Sequence, residues 1–300
     1  MKKLLFSFIA LCMGMCAMAQ SSVYVYQKDG KTLEIAVSNL DSISFTKPVG
    51  PLSGVFSVSA DKTVKFAPGN LQYTQSTNTW AFATNQYDML GESNVSSSVL
   101  ADKIDLFGWS ANNTTAQWGI SISATASDYS GDFVDWGKNI GDGNTWRTLS
   151  KDEWYYLFYT RTNAATLFGL GSVNGINGTI ILPDNWVCPS GITFNPSTTK
   201  GLTDQGGHYY NSNGDNFSHN TFSLSQWEQL EQSGAVFLPA AGFRDETFVY
   251  NVQDRGYYWS STVNDTSYAY SVYFRSLNLY PRYSSYRYCG RAVRLVQDVE

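Results

Sequence analysis

Apolar and polar residues alternate over residues 21–47, near the start of the chain. Around Lys28-Asp29-Gly30 this alternation predicts a β-hairpin with an Asp-Gly turn, and Ser42 to Phe45 predicts a further short strand. A β-hairpin module of this size, residues 20–47, is too small to be stable alone. The Pro- and Gly-rich residues 48–54 then predict a linker.

From residue 55 onward, short strand-like runs are separated by long stretches rich in Gly, Asn, Ser and Thr. Two Ser-x-x-Glu capping boxes predict helices, one opening at Ser150 and the other at Ser225, which ends near Gly234. Two short helices among many short strands and long loops predict an α+β domain over residues 55–297. The strand-like runs are Val55 to Ser59, Thr63 to Phe66, Thr179 to Leu182 and Val236 to Leu238.

Near the C-terminus the alternation has a period of two, which is typical of a strand with one buried face. Val272, Phe274, Leu277 and Leu279 fall on the apolar side of this pattern, which can anchor the fold. We predict that the residues on the other side, together with residues 282–286, lie on one solvent-facing patch: Ser271, Tyr273, Arg275, Ser276, Asn278 and Tyr280. Residues 282–286 predict a loop between strands. The apolar residues from Ala292 to Val296, interrupted by Arg294, predict a buried final strand.

Composition singles out the same tail. Between Ser260 and Val296 there is no Lys, Glu, Gln, Met or Trp, and nine of the 20 tyrosines fall between Tyr257 and Tyr288. Tyrosine with Ser, Arg and Asn is the composition of an antibody-like paratope. We therefore predict a ligand-binding surface made of Asn264, Asp265, Ser267, Tyr268, Ser271, Tyr273, Arg275, Ser276, Asn278, Tyr280, Arg282, Tyr283, Ser284, Ser285, Tyr286 and Tyr288.

The first residues predict export. Lys2 and Lys3 precede an apolar run, and Ala17 and Ala19 form a signal-peptidase site, so we expect a signal peptide over residues 1–19 and cleavage before Gln20. The mature protein would be periplasmic, outer-surface or extracellular. No later apolar run is long enough to span a bilayer. A net charge of -5 argues against nucleic acid as a partner.

Candidate chemistry is sparse. Outside the signal peptide only Cys188 and Cys289 remain, either as unpaired thiols or as one disulfide, and His208 and His219 lack other ligands at metal spacing. Residues 139–144 and 211–216 carry Asn and Asp oxygens that calcium could use, but turns favour the same residues and neither stretch has EF-hand spacing. We therefore predict no cofactor, with calcium as the alternative. No nucleophile elbow, His-Glu-x-x-His motif or P-loop is present.

Seven short motifs carry a family resemblance over about residues 55–297. In their order along the chain they resemble exported Bacteroidetes proteins of C-type lectin-like fold, a group that includes the Fibrobacter major paralogous (FISUMP) domains and the variable proteins of diversity-generating retroelements. The group is distantly similar to the formylglycine-generating sulfatase-modifying fold. The motifs lie at Phe66 to Tyr73, Asp105 to Trp109, Trp146 to Trp154, Leu182 to Trp186, Leu238 to Arg244, Tyr258 to Ser261 and Gly290 to Arg294.

The resemblance implies a function. In such retroelements template adenines are randomised, and the resulting codons never encode Lys, Glu, Gln, Met or Trp, which would account for the tail; an ordinary Tyr/Ser-rich region is the alternative. The formylglycine-generating relatives use a cysteine pair near the C-terminus, where this chain has only Cys289. We therefore expect a non-enzymatic protein that binds a protein or glycan ligand on a cell or phage surface. A structural surface or adhesin subunit is the alternative, and an enzyme of the sulfatase-modifying type a lesser one.

Overall fold

The computed structural model describes residues 22–26, 31–39, 50–141, 145–197, 209–210 and 216–299. The chain divides into two compact units, Met1–Pro48 and Val49–Glu300. The predicted signal peptide, the Lys28-Asp29-Gly30 turn and the predicted strand at Ser42 to Phe45 lie outside the described residues, as does His208. The two calcium-loop candidates, residues 139–144 and 211–216, lie partly outside them.

The first unit contains an antiparallel pair of strands. β1 (Ser22–Tyr26) pairs with β2 (Thr32–Ala36), and a 3-10 turn, Val37–Asn39, follows. Tyr24, Val25, Tyr26 and Leu33 are exposed. The pairing places Val23 opposite Ile35 and Val25 opposite Leu33, so one face of the hairpin is aliphatic.

The described residues of the second unit are α+β, with two short α-helices and many short strands in several small sheets. Its two α-helices are α1 (Lys151–Tyr155), which continues as a π-helical turn over Tyr156–Thr160, and α2 (Leu224–Gln232). Its strands are β3 (Phe56–Ser57), β4 (Thr63–Phe66), β5 (Leu71–Thr74), β6 (Thr79–Phe82), β7 (Val95–Ser96), β8 (Val99–Leu100), β9 (Lys103–Ile104), β10 (Phe168–Val173), β11 (Ile176–Ile181), β12 (Tyr209–Tyr210), β13 (Thr221–Phe222), β14 (Val236–Pro239), β15 (Phe243–Asp245), β16 (Phe248–Tyr250), β17 (Arg255–Val263), β18 (Tyr268–Arg275), β19 (Asn278–Tyr286) and β20 (Val296–Asp298).

Two four-stranded sheets dominate this unit. One has the strand order β13-β10-β11-β14 and the other β12-β19-β18-β17. The three long strands β17, β18 and β19 form an antiparallel meander, in which residues 276–277 turn the chain from β18 into β19. Smaller sheets have the orders β20-β4-β3, β6-β5-β9, β15-β16 and β7-β8.

Both helices begin at capping boxes. Ser150 caps α1 through the backbone N–H of Glu153, whose carboxylate accepts from the Ser150 backbone, as predicted. The prediction for α2 is wrong by two residues. Ser223, not Ser225, is the cap, because Ser223 has an extended backbone and Gln226 completes the same reciprocal pair of hydrogen bonds.

Aromatic side chains fill the core of the second unit. Trp109, Trp136, Trp154, Trp227 and Trp259 are all fully buried. Trp154 on α1 packs against Phe66 and Phe158, and its indole N–H points to the Trp259 carbonyl. Large aromatic rings bury much apolar area each, so the core needs few other large side chains.

The C-terminal run is buried as predicted, but it is not a regular strand. β20 begins only at Val296, and the residues before it form isolated bridges such as Phe107 with Arg291. The Arg294 side chain is buried, with 1% exposed. Hydrogen bonds compensate the burial of its charge, since the guanidinium donates to the carbonyls of Ala67 and Phe237 and to Asn70 Oδ1. In the part of the chain that the structure describes, no helix is long and apolar enough to cross a membrane.

Candidate ligand-binding surface

A row of three tyrosines crosses the meander. Tyr257 on β17 is directly opposite Tyr273 on β18, which is directly opposite Tyr280 on β19. The ring centroids of Tyr257 and Tyr273 are 4.8 Å apart, and those of Tyr273 and Tyr280 are 5.3 Å apart. Aromatic pairs directly across strands stabilise a sheet and fix the ring positions.

A β-bulge adds a fourth tyrosine to this row. Ser271 pairs with Tyr283 and Tyr273 with Tyr280, so two residues of β19, Pro281 and Arg282, face one residue of β18. An extra residue in one strand reverses the alternation beyond it. The ring of Tyr283 therefore lies 4.8 Å from that of Tyr273, on the same side of the sheet.

The β15-β16 hairpin extends the aromatic contacts outside the predicted tail. The ring of Phe243 lies 5.4 Å from Tyr257 and 5.4 Å from Tyr250, which in turn lies 6.3 Å from Phe248. Phe248 is 62% exposed and Tyr250 is 45% exposed. We call the resulting surface the tyrosine face, consisting of Phe243, Phe248, Tyr250, Tyr257, Tyr273, Tyr280 and Tyr283.

Sequence reasoning missed the hairpin residues of the tyrosine face. The run from Phe243 to Tyr250 has aromatic residues at both ends and the polar residues 244–247 between them, and this is the signal that could have found a hairpin. Nothing in that run indicates that it packs beside β17, because the contact between Phe243 and Tyr257 joins separate sheets.

The guanidinium of Arg291 packs against rings of the tyrosine face. Its guanidinium carbon is 4.2 Å from the ring centroid of Tyr257 and 5.4 Å from those of Phe243 and Trp259. Its Nε and Nη1 atoms have no hydrogen-bond partner among the described residues. Burial lowers the pKa of Arg291, although the guanidinium stays charged, and cation-π contact with three rings stabilises that charge.

A second tyrosine group lies at the far end of the meander. The rings of Tyr268 and Tyr286 are 4.4 Å apart, and those of Tyr286 and Tyr288 are 5.1 Å apart. The hydrogen bond between Tyr268 and Tyr286 raises the pKa of Tyr268 to about 12. Beside this group, Asp265 accepts from the backbone of Ser267 and Tyr268 and so closes the β17-β18 turn.

The predicted site residues are spread over several environments and do not form one solvent-facing patch. Ser271, Tyr273, Asn278 and Ser285 are buried, which corrects their predicted exposure. Ser271 and Ser285 hydrogen-bond to each other at 2.8 Å, and Tyr273 is covered by its ring neighbours. The others are exposed or half-buried: Asn264, Asp265, Arg275, Arg282, Tyr283, Ser284 and Tyr286 are exposed, and Ser267, Tyr268, Ser276, Tyr280 and Tyr288 are half-buried.

Residues 282–286 form part of β19, so the predicted loop is wrong. The bulge also directs Arg282 away from the tyrosine face. Its guanidinium lies 3.7 Å from the ring of Tyr155 on α1 and bonds to Asp152 at 2.8 Å. Val272, Phe274, Leu279, Val293 and Leu295 are all buried, as predicted, whereas Leu277 of the predicted apolar set is exposed at the turn.

Cys188 and Cys289 are separate free thiols. Cys188 is exposed and Cys289 is buried. Burial raises the pKa of Cys289 to about 11, which keeps it protonated at neutral pH and therefore a poor nucleophile. Within the described residues no cluster of His, Cys, Asp and Glu could hold a metal ion.

A family model described as a domain of unknown function (DUF8237) matches residues 212–296. No curated protein and no solved structure matches the chain. The matched range begins before α2 and ends at the start of β20. The similarity to this family therefore covers the complete tyrosine face, together with Arg291 beneath it.

Proposed function

We propose that this chain is an exported ligand-binding protein with a C-type lectin-like domain, and that the tyrosine face binds its ligand, a protein or a glycan. The observation that carries the proposal is a contiguous set of aromatic side chains of which Phe248, Tyr250 and Tyr283 are exposed. Single exposed apolar residues need no explanation, whereas a contiguous aromatic patch is typical of an interaction site.

Rigidity favours binding. Tyr257, Tyr273 and Tyr280 are held by direct cross-strand pairing, and Arg291 packs beneath Tyr257 at 4.2 Å. Side chains that are already ordered lose little conformational entropy when a ligand binds. Tyrosine and arginine are also the residue types that most often carry binding energy at interfaces.

The fold and export parts of the proposal rest on sequence. The ordered motifs between Phe66 and Arg294 are those that resemble the exported lectin-like group, and the α+β content of the second unit agrees with such a fold. Export rests on the charged start, the apolar run and the Ala-x-Ala site of residues 1–19. Mass spectrometry of the mature N-terminus tests cleavage before Gln20, and a lipid-modified Cys16 as the first residue would contradict that cleavage site.

We further propose that a retroelement diversifies the tail, because Lys, Glu, Gln, Met and Trp are missing together between Ser260 and Val296. Sequencing the DNA locus tests this. We expect an adjacent adenine-bearing template repeat and a reverse-transcriptase gene, with codons ending in C at positions such as Tyr283 and Asn264. If the locus contains neither element, the tail is an ordinary Tyr/Ser-rich region and the diversification proposal is wrong.

The binding proposal is tested with glycan arrays and with displayed cell-surface proteins. Tyr283→Ala should abolish or strongly weaken binding to any ligand found. The matched control is Tyr24→Ala, which removes an exposed tyrosine of the first unit. If Tyr24→Ala weakens binding and Tyr283→Ala does not, the tyrosine face is not the ligand site.

A structural surface or adhesin subunit is the second candidate function, and the β1-β2 hairpin favours it. Val25, Tyr26 and Leu33 are 44%, 80% and 50% exposed, and a hairpin with exposed apolar residues can dock on a partner strand. Catalysis is not part of either proposal, since the buried Cys289 stands alone near the C-terminus. Conversion of a sulfatase-type peptide by the purified protein with copper supplied would refute that view.

A further inference from the structure

Two arginines border the tyrosine row. Arg255 on β17 is directly opposite Arg275 on β18, which is directly opposite Asn278 on β19. This second row lies two residues along each strand from Tyr257, Tyr273 and Tyr280, so it belongs to the same side of the sheet. Like charges directly opposite each other in a sheet are destabilising.

The positive charge of this pair is only partly neutralised. Arg255 bonds to Asp254 at 3.0 Å. Arg275 belongs to no ion pair in the described part of the chain and is exposed. Its Nε donates to Asn278 Oδ1 at 3.1 Å. The Asn278 Nδ2 atom is buried and has no hydrogen-bond partner among the described residues, so one donor beside Arg275 lacks an acceptor.

The turn beside this pair exposes an apolar side chain. Leu277 is 42% exposed and has a φ of 70°, a backbone region that branched and bulky residues rarely adopt. Arg275 and Leu277 therefore place an exposed guanidinium that has no carboxylate partner within the described residues and an aliphatic group next to each other at the edge of the tyrosine face. An acidic side chain flanked by apolar ones is complementary to both groups.

The ring packing favours a protein over a glycan. Tyr273 has three ring neighbours with centroids within 5.3 Å, and Tyr257 lies between Tyr273 and the guanidinium of Arg291. Stacking a sugar requires an open ring face, and these two central rings have little left. The exposed groups are instead Tyr283, Leu277, Phe248 and Arg275, with Arg255 half-buried beside them, and these match the side chains of a peptide.

We propose that Arg255 and Arg275 bind an acidic side chain of a partner protein, with Leu277 and Tyr283 contacting the apolar residues beside it. This inference rests on the proposed function of the tyrosine face and specifies its ligand. The carboxylate accepts hydrogen bonds from the Arg275 guanidinium, which can donate through two N–H groups at once. Binding relieves the repulsion between the two arginines, so affinity should decrease as salt concentration rises.

The test uses a random linear peptide library displayed on phage, panned on the full chain and on Arg275→Gln. The matched control is Arg282→Gln, which removes an exposed arginine of the same meander that faces α1. We expect the selected peptides to be enriched in Asp or Glu beside apolar residues. The best peptide should lose about tenfold or more in affinity with Arg275→Gln and Arg255→Gln, and keep its affinity with Arg282→Gln.

Thermal melts establish that each variant is folded, and Arg275→Glu should select basic peptides in place of acidic ones. Selected peptides that depend on Tyr283 but lack acidic residues would overturn the arginine site while leaving the tyrosine face as the ligand site. Binding confined to sulfated or uronic-acid glycans on an array would overturn the protein partner. If neither peptides nor glycans bind, both the inference and the proposed function fail.

Discussion

Tyr273 and Tyr283 belong to the same aromatic contact network but should respond differently to truncation. Tyr273 is 6% exposed and has three ring neighbours, whereas Tyr283 is 38% exposed. Each aromatic pair contributes about 0.5 to 1.5 kcal/mol beyond area burial, and buried aromatic residues cost about 3 to 5 kcal/mol when truncated to Ala. We expect Tyr273→Ala to lower the free energy of unfolding by about 3 kcal/mol.

Tyr283→Ala removes a more exposed ring, so it should cost about 1 kcal/mol of stability and about 2 kcal/mol or more of binding free energy. Thermal melts with calorimetry measure the first quantity, and titration of a ligand found by array or panning measures the second. If both variants unfold to the same extent and Tyr283→Ala binds normally, the tyrosines are packing residues, and the reasoning from exposure is wrong.

Three further predictions concern the fold. Ser150→Ala should cost about 1 kcal/mol in chemical denaturation through loss of the α1 cap, with exposed Ser225→Ala as the small-effect control; an equal loss in both would contradict the cap assignment. Gly256→Ala should lower the melting temperature clearly, because its Cβ would lie 2.0 Å from the Phe274 ring; an unchanged melt would refute this packing. Burial raises the pKa of Asp105 to about 6. The folded state thus binds this proton more tightly than the unfolded state, and stability from this group is lost as pH rises from about 4 through 6, by about 3 kcal/mol. Asp105→Asn should flatten that slope in unfolding titrations, and an unchanged slope would rule Asp105 out.

Local patterns predicted the features that depend on neighbouring residues. The Ser150 box and the buried apolar residues of β18 both follow from interactions within a few positions. The second helix start was misplaced because Ser223 and Ser225 both fit a capping pattern, and only the backbone conformation separates them. The final segment was predicted to be a strand from Ala292 onward because its residues are almost all apolar. An irregular segment that is buried on all sides has the same apolar pattern, so the pattern could not distinguish the two.

The prediction of a single exposed patch failed in part because of the β-bulge in β19. One extra residue reverses the order of sides after Tyr280, so strict alternation would place Arg282 and Tyr283 on the wrong sides of the sheet. Pro281 was the available signal, since proline lacks an N–H group and within sheets is confined to edges, strand starts and bulges. The burial of Tyr273 was not accessible in this way, because it depends on rings from three strands.

The tyrosine face contains residues on both sides of Ser260, where the segment without Lys, Glu, Gln, Met and Trp begins. Phe243, Phe248, Tyr250 and Tyr257 precede that boundary, whereas Tyr273, Tyr280 and Tyr283 follow it, and the two groups are in ring contact through Tyr257 and Tyr273. If the tail is diversified, its variable residues therefore lie beside aromatic residues that do not vary. Those invariant residues would supply binding energy that every variant shares, while variable residues such as Arg275 and Tyr283 would determine which ligand is bound. The ligand specificity could then change without loss of the fold, because Val272 and Phe274, which pack in the core, lie on the other side of the sheet.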